Sequence, residues 1–249
     1  MRVSIFNCVS NALEMLKFSS DAILNNAGTD DFDYIVVHWN ASRSVLEYLY
    51  ELERSSKNVR LVQHETNGDV GFVPNLRSMM NLGFETGFEM NDYCGLTNTD
   101  MYFGHRWLEN LVKYATNDTI VNSVHITPKA TGGHVINADL GIPEYGKFNM
   151  GLFDEMYDKL YVDKLETEFE RGGWLETNTM PYLIPRKFWG LAGPWELTGI
   201  QNWTPDRRFF QRCHDHGAIF TMSHGSIVYH HEAVERNGAS RPPHMVYEN

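Results

Sequence analysis

The feature that most constrains this chain is an alternation between short apolar runs and stretches whose apolar residues recur at helical spacing. It is sustained from residue 3 to residue 115. Val3–Phe6, Tyr34–Val37, Val59–Val62 and Tyr93–Leu96 have the length and β-branched or aromatic character of strands. Helix stripes lie between and after them: Leu13, Leu16, Ile23 and Leu24; Val45, Leu46, Leu49 and Leu52; the segment Asn75–Phe84; and Trp107, Leu108, Leu111, Val112 and Ala115. Asn11 and Glu14 have the spacing of a capping box before the first helix. The alternation predicts an α/β fold of βαβ units, with a largely parallel sheet covered by helices on both faces. Right-handed crossovers then bring the C-terminal strand ends to one edge, where ligands bind.

The second half reads differently. Thr127–Gly151 is rich in Gly and Pro and predicts a loop region. Phe153, Met156, Tyr157 and Leu160 outline an amphipathic helix with an acidic face near Asp154–Glu170, expected to stop at Gly172-Gly173. Met180–Ile184 and Ile219–Met222 predict strands, with a helix near Asp206–His216 between them. The expected organisation is one domain over residues 1–235, with halves 1–120 and 121–235, and a tail over 236–249.

Composition narrows the functional classes. A length of 249 residues, 42% of them hydrophobic, suffices for a core without disulfide or metal staples. The net charge of −11 counts against sequence-independent nucleic-acid binding, which works by neutralising phosphates. Cys8, Cys94 and Cys213 form neither a disulfide framework nor a CxxC pair, which suits a reducing compartment. No leader and no run of ~18 apolar residues is apparent, so the expectation is a soluble, cytoplasmic protein without stable membrane insertion.

The segment Tyr93-Cys-Gly-Leu-Thr-Asn-Thr-Asp100 carries the most chemistry. An apolar strand runs into Asn98-Thr99-Asp100, with no cation adjacent in sequence. A carboxylate there suits a divalent metal or a sugar hydroxyl; equally, Asn and Asp start turns. Cys213-His214-Asp215-His216 and His230-His231 invite a zinc reading, but His214 and His216 are two apart on a presumed helix and face different ways. Trp174, Trp189, Trp195 and Trp203 fall close together, either as sugar-stacking platforms or as core. Arg207 and Arg208 are either diphosphate clamps or a solvated face, and only one of them can point inward from a helix.

These residues resemble the family 2-like glycosyltransferases of GT-A fold. The family reads "strand–Asn/Asp-x-Asp–short loop–Trp-Leu-x-x-Leu", which Asn98, Asp100, Trp107, Leu108 and Leu111 match. Asn67-Gly-Asp-Val-Gly-Phe-Val-Pro-Asn75 looks like its Asn-x-Gly-Phe segment, and Gly193-Pro-Trp-Glu196 like its Gly-x-Phe-Asp/Glu turn. Asp206-Arg-Arg-Phe-Phe-Gln-Arg212 looks like its base-bearing helix, and Ser226-Ile-Val-Tyr-His230-His231 like its late strand–His element. There are departures: Val37-His38-Trp39-Asn40 lacks the acidic residue usual after the second strand, and Pro205 replaces the Glu before the base.

The resemblance implies transfer of a sugar from a nucleotide-diphosphate donor to an acceptor hydroxyl, with inversion and with Mn²⁺ or Mg²⁺. The acceptor would be a glycan, or alternatively a modified nucleic-acid base. Asp206 would be the general base and Glu196 would contact the acceptor. Asn7, Cys8, Val9, Asn40, Asn67, Asn75, Asn98 and Asp100 would surround the donor, with Asp100 and His230 holding the metal or diphosphate. Two rivals are a sugar-phosphate nucleotidyltransferase on a similar fold and a non-catalytic carbohydrate-binding protein. The first would carry a Gly-rich basic loop after its first strand, which Asn7-Cys-Val-Ser-Asn-Ala12 is not. The second has no need of paired carboxylates.

Overall fold

The computed structural model describes residues 1–9, 11–65, 72–128, 135–141, 147–167, 180–196 and 205–231; side chains at 72–74, 135, 205 and 206 fall outside the described set. In the first half the elements are β1 (Val3–Val9), α1 (Leu13–Asn25), β2 (Phe32–His38), α2 (Arg43–Ser55), β3 (Val59–Gln63), α3 (Phe72–Met90), β4 (Tyr93–Leu96), β5 (Met101–Phe103) and α4 (Trp107–Val112). In the second half they are β6 (Thr119–Thr127), β7 (Val135–Asn137), α5 (Met150–Leu160), β8 (Leu165–Thr167), β9 (Tyr182–Pro185), α6 (Arg186–Ala192), α7 (Pro205–Asp215) and β10 (Ile219–His230).

The strands form one sheet in the order β3-β2-β1-β4-β9-β6-β10-β5, with β7 on β6 and β8 on β10. Side-chain alternation divides the core between its two faces. On one face, α1, α2, α4 and α5 bury Leu16, Ile23, Val45, Leu49, Trp107, Leu111 and Phe153 against Val3, Ile5 and Val9 of β1. On the other, α3, α6 and α7 bury Phe84, Phe188, Phe209 and Phe210 around Phe6. β2 is buried along its whole length, as a strand covered on both faces must be.

The sheet is mostly parallel, as expected, but mixed rather than purely parallel. β1, β2, β3 and β4 run parallel, and β9 then enters antiparallel between β4 and β6. Gly95 admits it, because a Cβ there would run into the Tyr182 carbonyl. β6 and β10 resume the original direction, and β5 closes the edge antiparallel to β10. The C-terminal ends of β1, β2, β3, β4, β6 and β10 therefore share one edge.

Other expectations change. The capping box does not form: Ala12 takes a left-handed φ of 93°, and Asn11 Oδ1 accepts from the Ser42 amide at 3.2 Å. The expected 127–151 loop region holds β7 and the first turn of α5, whose N-cap Asn149 accepts from Leu152 N at 2.9 Å. That helix ends at Leu160, and β8 follows, so the stop is not at Gly172-Gly173. Ile219–Met222 and the late strand–His element are one strand, β10, interrupted by a bulge between Ser223 and Ile227. Among the described residues, no helix is long and apolar enough to cross a membrane.

Candidate active site

β4 ends at Leu96, and Thr97 is still tied to β1 through its amide and hydroxyl, both donating to the Phe6 carbonyl. The chain then turns through Asn98-Thr99-Asp100 and enters β5 at Met101, which pairs with His230 of β10. This ladder presents Asp100 to the end of β10. Asp100 Oδ2 lies 3.1 Å from His230 Nε2, with the two side chains only 12% and 16% exposed. The Asp100 carbonyl accepts from His231 N at 2.9 Å, so main chain and side chain are both held.

Burial is the largest single influence on the Asp100 carboxyl and works to raise it, but the charge and hydrogen bond of His230, with smaller contributions from His231 and the residue's own amide, together outweigh it. The group sits below the usual carboxylate range and is ionised at neutral pH. Two more imidazoles adjoin the pair. His125 of β6 packs against the His230 ring, and burial pushes it well below the usual histidine value. His231 is pushed down to about 4 by burial; its Nδ1 meets the Gly141 carbonyl at 3.1 Å. The edge thus gathers one carboxylate and three histidines from the ends of β4, β6 and β10.

No protein-family model and no curated protein sequence matches the chain. Solved structures do resemble it. GalNAc-T7, solved with UDP, GalNAc and Mn²⁺, superposes with a TM-score of 0.60 at 10% identity, over 91% of this chain and 43% of its own. S. aureus TarS 1–349 superposes with a TM-score of 0.58 at 11% identity, over 93% of this chain and 60% of that one. The fold is GT-A. The chain spans about two fifths and three fifths of these two GT-A neighbours.

Within the GT-A sheet, the expected donor-site residues separate into groups. Cys8 is half-buried and Val9 buried at the end of β1, beside the turn that carries half-buried Asn98. Asn7 is wholly buried and donates from Nδ2 to Tyr34 Oη at 2.7 Å, on the α1–α2 face of the sheet. Asn40 is exposed with a left-handed φ of 47°, and Asn75 is buried on α3. Asn67 lies outside the described residues. β2, which lacks the acidic residue usual at this point in the family, ends in the buried His38, lowered in pKa by burial, with its carbonyl accepting from His64 N.

Beside α7, Glu196 is gripped by Arg208 Nη1 at 2.5 Å and Arg212 Nη1 at 3.0 Å. Arg212 also donates to the Ala192 and Pro194 carbonyls, fastening the Gly193-Pro-Trp-Glu turn to α7. Arg207 is exposed on the same helix. Asp206 is the second residue of α7, with its side chain outside the described set. Phe210, one turn on, packs edge-on to Tyr182, whose strand partner is Leu96. That contact anchors α7 beside the strand leading to Asp100. Trp189 stacks on Phe84, and Trp195 is buried in the same aromatic cluster, so these two are core; Trp174 and Trp203 lie outside the described residues.

Sequence reasoning missed His125, because it lies on a strand that no apolar run announced. Among the described residues, no three His, Cys, Asp or Glu side chains are already drawn together as a metal cage. The chemistry of the Asp100–His230 pair still fits a divalent transition ion: an ionised carboxylate and an imidazole nitrogen at one strand-end edge are its usual donors.

Proposed function

We propose that this chain is a glycosyltransferase that moves a sugar from a nucleotide-diphosphate donor to an acceptor hydroxyl with inversion. The observation that carries the reading is the Asp100–His230 pair, at the shared C-terminal edge of a GT-A sheet. Residues 1–235 act as one catalytic unit, with the donor on 1–120 and the acceptor on 121–235. A single sheet running through both parts supports this. The expected tail 236–249 lies outside the described residues.

Asp100 and His230 would hold a divalent cation, Mn²⁺ in preference to Mg²⁺. When bound, such an ion neutralises the charge that builds on the leaving diphosphate. GalNAc-T7, a similar fold, was solved with Mn²⁺ and UDP. Asp100 contributes a carboxylate that is ionised before any ligand arrives, held at both its main chain and its side chain. Cys8, Val9, Asn40, Asn75 and Asn98 would line the donor side, and Asn67, outside the described residues, is assigned to it from the sequence pattern alone. Asp206 takes the proton from the acceptor hydroxyl as it attacks the face opposite the leaving group. Glu196 retains acceptor capacity beyond its two arginine bonds and orients neighbouring acceptor hydroxyls. A glycan is the acceptor class that suits these groups.

The test is a thermal-shift and transfer panel of nucleotide sugars with and without Mn²⁺. At least one donor should raise the melting temperature, since binding to the folded state alone stabilises it. Asp206→Asn should keep that shift while turnover falls ~10²–10⁴-fold. No stabilisation by any nucleotide sugar refutes the transferase reading, and wild-type turnover in Asp206→Asn removes the base.

A further inference from the structure

β6 brings one more imidazole beside the Asp100–His230 pair. His125 pairs in register with Val228 of β10, two residues before His230, so both imidazoles stand on the same face of the sheet. Their rings meet edge-on, with centroids 5.8 Å apart and an interplanar angle of 68°. His125 is only 6% exposed, and its Nε2 has no hydrogen-bond partner. Leaving a buried polar atom unpaired is costly and uncommon. A phenylalanine would fill the same space without that cost. The ring that carries this unpaired nitrogen adjoins the His230 imidazole and feels the charge of Asp100, the two groups already suited to a cation.

Deepening the metal-assisted reading above, and resting on it, we propose that His125 supplies a second imidazole, through Nε2, to the divalent cation held by Asp100 and His230. Asp100 and His230 bond to each other in this structure, and cation binding exchanges that bond for bonds to the ion. A set of two imidazoles and one carboxylate favours a transition ion such as Mn²⁺ over Mg²⁺, which prefers oxygen alone.

The experiment titrates Mn²⁺ into the chelator-stripped chain and reads free ion by its electron paramagnetic resonance signal. Wild type should bind Mn²⁺, with Mg²⁺ a poor competitor. His125→Phe keeps a ring against His230 but removes the nitrogen. It should bind Mn²⁺ at least ~10-fold more weakly, while its metal-free melting temperature stays level or rises. His125→Leu should show the same loss, and it serves if the first variant does not fold. Wild-type Mn²⁺ affinity in a folded His125 variant, with affinity abolished by Asp100→Asn, overturns the role of His125 and leaves the proposed function standing. A wild-type chain that takes up no Mn²⁺ overturns the metal-assisted reading and this inference together.

Discussion

Replacing Asp33 by Asn should loosen the start of the chain in a pH-dependent way. Asp33, buried on β2, accepts from Arg2 Nε at 2.8 Å and Nη2 at 2.9 Å, and from Asn91 Nδ2 at 3.0 Å. Asn91 also donates to Ser4 Oγ, whose hydroxyl donates to the Gly87 carbonyl, so one network joins β1, β2 and the end of α3. An amide at position 33 would turn an N–H toward the guanidinium and remove the charge. Hydrogen bonds to a charged group contribute ~1.5–3 kcal/mol, and breaking a fully buried pair costs ~3–5 kcal/mol. The Arg2 side chain is 44% exposed, so water resolvates it and the expected loss is ~2–3 kcal/mol. For a chain of this size that corresponds to a fall of roughly 5–10 °C in melting temperature.

The sign of the pH effect follows from the same contacts. The Arg2 bonds, working against burial, hold the Asp33 carboxyl below its ordinary value. A carboxyl depressed in the folded state stabilises fully above its unfolded pKa of ~3.9, and that contribution is lost as pH falls through the folded value. Urea melts of wild type and Asp33→Asn should therefore differ by a constant amount between about pH 5 and 8, with the gap closing below about pH 4. Equal stability at neutral pH, or a gap that widens in acid, refutes the reasoning.

Gly83→Ala should destabilise by ~1–2 kcal/mol in a denaturant melt. Its Cβ would strike the Phe6 ring where α3 lies on β1, and the helix-propensity gain offsets only part of that overpacking; an unchanged midpoint would mean that Phe6 can move aside. Glu196→Gln should cost about 1 kcal/mol or less, because its ion pairs are partly solvated. It should raise the acceptor KM while leaving donor affinity unchanged; an unaltered acceptor KM would reduce Glu196 to a fastener of its turn.

β1 to β4 and the helices of the first half were legible because these strands are short apolar runs and the helices carry apolar stripes, with both faces of β1 and β2 buried; the three-residue β5 was not read as a strand. β6 was not, since Asn122, Ser123, His125 and Thr127 are polar residues buried within a strand. Two of them are served across the sheet, Ser123 by the Ser226 hydroxyl at 2.7 Å and the Asn122 Nδ2 by the Thr221 carbonyl. The same chemistry split β10 in the sequence: Ser223 and Gly225 are occupied by Asn110 of α4, and His224 by Glu166 of β8. Asp100 could be placed at a strand end from sequence, but its bond to a histidine 130 residues away could not, because only the β5–β10 pairing creates it. Glu196 offered two readings, and its arginine partners became visible only once α6 and α7 were packed together.

The pairing of Met101 with His230 also sets when the centre can come into being. During synthesis, the chain through α4 already holds the aspartate, yet its imidazole partner is made more than a hundred residues later and belongs to β10, the last strand among the described residues. A nascent chain cut short before that strand has nothing to complete the pair. On the metal role proposed above, capture of an ion at this edge would report that β10 has docked, making cation uptake a probe of completed sheet assembly as well as of chemistry.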